Sequence, residues 1–170
     1  MRKNALRTKK ITFLALFASL ALLLSYVEML LPPIITSVPG IKMGLPNIVL
    51  VLILYRFGIK EAAIVSFIRL LIVTILFGNI SMLLYSLAGA VLSLAVMGIL
   101  KKLDFLSTVG VSVAGAIMHN VGQIIVAMLL MQTSEIGYYM IVLSITGTVA
   151  GIFIGLCGAL LYKRFEKMKM

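Results

Sequence analysis

The sequence holds one cysteine, one histidine, no tryptophan and only five acidic residues. Each scarcity excludes a chemistry. A lone Cys157 can form neither an intrachain disulfide nor a CxxC metal site. With His119 as the sole histidine, a protein-ligated zinc centre is not expected, and neither is any other cofactor. Asp104 is the only Asp, so the Asp-rich carboxylate pairs that chelate magnesium in diphosphate chemistry have no counterpart. It sits in a polar turn, far in depth from His119, so a Ser-His-Asp triad is not expected either. No Walker A sequence is present, and the chain itself is not expected to hydrolyse ATP. No catalytic residue is predicted, and the chain is read as a non-enzyme.

Charge is scarce as well, at 12% of residues against about 25% in soluble domains. Hydrophobic residues make up 62%, and the mean hydropathy is +1.21. One helix across a bilayer needs about 20 apolar residues, so six such helices would use nearly the whole chain. We therefore expect one transmembrane domain over 1–170, an all-α integral membrane protein built as a six-helix bundle. A helical bundle satisfies its backbone inside lipid, and the sequence lacks the alternation of a barrel. The expected helices run over 11–31, 44–57, 62–77, 80–100, 109–131 and 138–162. At about 21 residues, the first apolar run exceeds a signal-peptide core and lacks an A-x-A-like site, so it is read as a retained span. The second and third runs are short and need tilt or local thinning to cross.

The net charge is +10. In a soluble protein that balance would point to nucleic acid; here it marks the cytoplasmic loops, and no nucleic-acid partner is expected. With six spans, thirteen of the fifteen basic residues fall on one side: five before residue 11, then Arg56, Lys60, Lys101, Lys102, Lys163, Arg164, Lys167 and Lys169. Lys42 alone faces the other side, and Arg69 lies inside the third helix. This asymmetry predicts that both termini are cytoplasmic.

Arg69 is costly at mid-depth, by about 2.5–3.5 kcal/mol on insertion scales. His119, Asn120 and Gln123 crowd one turn of the fifth helix at a similar depth. Two readings stand: interhelical hydrogen bonds worth roughly 0.6–2 kcal/mol each, or a ligand-facing site. If Arg69 and the His119 face converge, the recess favours an anionic head such as phosphate, diphosphate or carboxylate. Asn47, Lys42 and Tyr85, toward the outer side, complete the candidate substrate-binding set. Residues 32–46 form a Pro- and Gly-rich loop that is either a lid or a plain crossover. Glu28, at the outer end of the first helix, either pairs with Lys42 to pin that loop or snorkels to water. Tyr138 and Tyr139 read as interfacial anchors. Gly147, Gly151 and Gly155, with Gly158 following, form a smooth strip for close helix contact, within the bundle or between molecules. Ala15 and Ser19 form a shorter strip near the cytoplasmic end of the first helix.

The blocks PGIKMGLPNIV (39–49), FGIKEAAIVSFIRLL (57–71), YSLAGAVLSLAVM (85–97) and VGVSVAGAIMHNVGQ (109–123) together resemble the bacterial Gx transporter family. That family is also labelled heptaprenyl diphosphate synthase component I. Pro46 departs from the small residue expected there. The family is in turn similar to the substrate-binding S components of energy-coupling-factor transporters. That resemblance implies an external pocket, a first loop acting as lid, and a small-residue strip on the first helix that docks on a membrane coupling subunit carrying two ATPases. Ala15-x-x-x-Ser19 is an imperfect copy of that strip. The family label implies a link to isoprenoid or quinone metabolism, and relatives tend to accompany flavin-linked electron-transfer proteins. Three functions therefore stand as expectations: the substrate-binding subunit of an importer in the bacterial cell membrane, a structural subunit of a redox complex, or a non-catalytic component of prenyl diphosphate synthesis.

Overall fold

A computed structural model describes residues 2–30 and 44–167, with backbone alone for residues 2–6. The described residues form six α-helices and one short 3-10 turn, with no strand among them: α1 (Arg2–Leu30), α2 (Asn47–Arg56), α3 (Ile59–Phe77), α4 (Ile80–Leu103), α5 (Thr108–Met131) and α6 (Tyr139–Glu166), the turn being Glu135–Tyr138. Four stretches are long and apolar enough to cross a membrane: 7–30, 80–103, 108–131 and 135–166. Their outward faces are unsuited to water. Ile75, Leu129 and Ile141 are 70–80% exposed, and a continuous apolar exterior of this kind belongs in lipid. The protein is a multi-pass helical membrane protein.

The helices differ from the expected ones mainly at their ends. α1 starts at Arg2 rather than residue 11, because nothing in the basic N-terminal stretch stops a helix. α2 is shorter than expected. Its ten residues rise about 15 Å, half of a hydrocarbon core of about 30 Å. It has no need to span alone, since Val49 to Leu54 are all buried inside the protein. α3 buries Ala62, Val65, Ser66, Arg69 and Leu70, the i, i+3, i+4, i+7, i+8 stripe of a helix packed along one side. Arg69 is part of that stripe.

Caps set the connections. Asn79 accepts the Met82 N–H at 2.9 Å and starts α4, and Ser107 accepts the Gly110 N–H at 3.2 Å and starts α5. Both are short polar side chains that satisfy a free N–H at a helix start. Asp104 and Gln132 end α4 and α5 in the left-handed conformation, a common helix stop.

α4 packs along α5, and α5 along α6, while α2 is enclosed by α1, α3 and α6. The glycine strip of α6 is used inside this bundle. A Cβ at Gly151 or Gly155 would stand 2.7 Å from the α5 backbone, and one at Gly158 would stand 2.8 Å from Val51 of α2. The intermolecular use of that strip left open by the sequence is thereby filled from within. At one end of the bundle the basic residues gather. Lys10 pairs with Glu61 at 2.5 Å, Phe17 meets Phe165 edge-on at 5.4 Å, and Tyr55 lies 6.0 Å from Tyr162. Lys101 donates to the Leu54 carbonyl at 2.6 Å and to that of Tyr55 at 3.4 Å, closing the C-terminus of α2 with a positive charge. We call this the basic end. The cavity described next lies toward the other.

Candidate functional site

Depth follows from helix rise. Arg69 is the eleventh residue of α3 and His119 the twelfth of α5, and both helices start at the basic end. At 1.5 Å per residue both side chains lie about 15–17 Å along their helices, at matching depth. The helices bring them to one cavity of about 90 Å³, running from mid-depth toward the far end. Arg69, His119, Asn120, Gln123 and Asn47 all contribute to its wall. That volume is roomy enough for several waters or a compact polar head group.

Arg69 is buried, at 9% exposure, and is poorly satisfied. Its Nη1 donates to Ser25 Oγ over a long 3.5 Å, and its Nε has no hydrogen-bond partner among the described residues. Ser25 Oγ in turn donates to the Ala21 carbonyl at 2.8 Å. A guanidinium carries five N–H donors, and a buried donor left unmatched is expensive. Within the wall Arg69 is an electrostatic neighbour of both His119 and Glu28.

His119 is fixed by close backbone approach. A Cβ at Gly89 would stand 2.8 Å from its ring and 2.8 Å from its carbonyl oxygen, and one at Gly122 would stand 2.7 Å from the Ala88 carbonyl. Glycine at these two positions lets α4 and α5 close enough to clamp the imidazole. Asn120 combines both roles read from the sequence. It touches the cavity, yet its Nδ2 donates to the Leu143 carbonyl at 2.7 Å and fills the space above Gly147 of α6, so it also ties α5 to α6.

Glu28 does pin the chain that precedes α2. Its Oε1 accepts the N–H of Gly44 and, at 3.4 Å, that of Leu45. The predicted partner, Lys42, lies outside the described residues, as does most of the Pro- and Gly-rich loop. Gly44 adopts φ +79°, open to glycine without strain, and this turn points both N–H groups at one carboxylate. Tyr85 is half-buried on α4 and takes no part in the cavity wall. Ala15 and Ser19 stand on the exposed face of α1, with Ser19 Oγ donating to the Ala15 carbonyl at 3.0 Å.

Sequence reasoning missed the hydroxyl groups of the wall: Ser25, Thr74, Ser86 and Thr146. Ser25 was within reach, since Phe17, Ala21, Ser25 and Glu28 repeat every three or four residues along the buried face of α1. Among the described residues no cluster of three or more His, Cys, Asp or Glu side chains suited to a metal ion occurs.

Comparison with protein families matches the chain to heptaprenyl diphosphate synthase component I over residues 17–161. The chain belongs to this family. The match takes in α2 to α5 whole, most of α6 and nearly half of α1, with every cavity residue inside it. No curated protein and no solved structure matches the chain. In this component I chain the residues quoted above as its family blocks supply Gly44, Asn47, Arg69, Ser86, His119 and Gln123 to a single wall.

Proposed function

We propose that this component I protein is the substrate-binding membrane subunit of a small-molecule importer of the energy-coupling-factor type. Its cavity receives the anionic head of a small isoprenoid-, quinone- or vitamin-related ligand from the outer side of a bacterial cell membrane. The observation that carries this reading is Arg69: a buried guanidinium with an unmatched Nε, facing a cavity it shares with an imidazole and three amides. Buried charge inside a membrane protein is retained where it binds something, and guanidinium geometry suits phosphate and carboxylate oxygens. Asn47, Gln123 and His119 orient the head group, and Lys42 and Tyr85 are assigned to the outer approach.

In this account all six helices serve as one membrane domain with both termini in the cytoplasm, so the cavity opens outward. The chain is not an enzyme and carries no cofactor. A coupling membrane subunit with two ATPases docks on the exposed Ala15–Ser19 strip of α1 and supplies the energy. Reconstitution tests this. Uptake into proteoliposomes should require both the coupling subunits and ATP; uptake that proceeds equally without them would end the importer reading.

The family description favours a second reading, a non-catalytic component associated with prenyl diphosphate synthesis. The same cavity would then hold a diphosphate head for a catalytic partner. Copurification with a prenyl-transferring enzyme, and a loss of product when Arg69 is replaced, would select it over the importer.

A further inference from the structure

Two features of the cavity wall remain unused by the function above: a carboxylate in a site read as anion-binding, and two backbone N–H groups that converge on it. Glu28 and Ser25 are one turn apart on the buried face of α1. Ser25 touches the Arg69 guanidinium, and Glu28 is the charged group that acts electrostatically on Arg69. Glu28 also accepts the N–H groups of Gly44 and Leu45 through a single oxygen. These N–H groups sit just ahead of the first residue of α2, Asn47, at the end of the helix whose dipole favours negative charge. Glu28, Gly44, Asn47 and Arg69 all line the same cavity.

A carboxylate held by paired N–H groups at a helix start, with a guanidinium close by, has the partners expected of a bound anion. We propose that Glu28 is a built-in competitor: in the unliganded protein its carboxylate holds the position that the anionic head of the ligand takes. The inference rests on the anion-binding reading of the cavity. Its physical basis is charge. Arg69 in a medium of low dielectric needs a counter-charge, and Glu28 is the acidic side chain in the wall. A second anion placed between Arg69 and the Gly44–Leu45 N–H groups repels Glu28 and supplies both sets of donors with a better-placed acceptor. The titratable groups facing this position among the described residues are Glu28 from α1, Arg69 from α3 and His119 from α5; the α2, α4 and α6 portions of the wall are uncharged. The device gives Arg69 a counter-charge in the empty cavity and makes affinity depend on how readily Glu28 leaves.

The test compares binding of inorganic phosphate to the full-length protein in lipid nanodiscs, by calorimetry at constant ionic strength. Wild type should bind, Arg69→Gln should lose binding, and Glu28→Gln should bind on the order of tenfold more tightly, within the usual range of coupling between two sites. If Glu28→Gln binds equally or more weakly while Arg69→Gln loses binding, the competitor is overturned and the anion site stands. If neither wild type nor Glu28→Gln binds phosphate, both fall. Should Glu28→Gln fail to fold, wild type carrying carboxyl-labelled glutamate gives the answer, because the chain has four glutamates. The Glu28 carbon signal should shift on adding phosphate as the carboxylate leaves its N–H partners; an unmoved signal at saturation overturns the proposal.

Discussion

At the scale of single residues, the wall separates side chains that hold the bundle from those that are left over. Asn120 is satisfied, with one donor committed to the Leu143 carbonyl at 2.7 Å. Asn120→Ala should lower stability by about 0.6–2 kcal/mol, the range for a polar contact between membrane helices, as measured by reversible unfolding in detergent. Arg69 is not satisfied, and its replacement should alter ligand binding far more than unfolding. Gly89→Ala is a sharper probe of His119. Its new methyl would stand 2.8 Å from both the ring and the backbone of His119, so α4 and α5 must part. Thermal unfolding should move down and ligand binding should fall together. Asn120 and Arg69 look alike in the sequence, as polar residues at mid-span. Only the position of Leu143, 23 residues away, tells one from the other, and no local pattern encodes that.

At the scale of elements, the long spans were legible because twenty apolar residues in a row have few alternatives. α2 was not. Its run of apolar residues reads equally well as a short span or as a buried core helix, and only the surrounding α1, α3 and α6 decide. The glycine strip of α6 was legible as a close contact, but not its partners, α5 and α2. Two element-level predictions follow from the caps. Asn79→Ala removes the side chain that accepts the Met82 N–H and should destabilise by about 1 kcal/mol, with ligand binding unchanged because Asn79 lies outside the wall. Lys101→Met removes the cation that closes the α2 C-terminus at the Leu54 and Tyr55 carbonyls. It should loosen α2 in amide exchange, with faster exchange toward Arg56 than in wild type; unchanged exchange there would show that the contact carries nothing.

At the scale of the whole molecule, charge and shape point the same way. The basic residues of α1, of the helix ends beside the α2–α3 and α4–α5 turns and of the end of α6 gather at one end, and the cavity lies toward the other. We predict that, in a Cys157→Ser background, single cysteines at Lys102 and Lys167 label only after a membrane-impermeant reagent is admitted to the cytoplasm. A cysteine at Glu135 should label from outside. The reverse pattern would invert the orientation and with it the direction of access. The charge count is what predicts this orientation from sequence, whereas the convergence of Asn47, Arg69 and His119 depends on how three helices pack. The most direct measurement of the central claim is native mass spectrometry of gently extracted protein, wild type against Arg69→Gln. Wild type should carry a small anionic molecule that Arg69→Gln, equally folded by circular dichroism, has lost. The same molecule retained on both proteins, or none on either, would contradict the claim that Arg69 anchors a ligand.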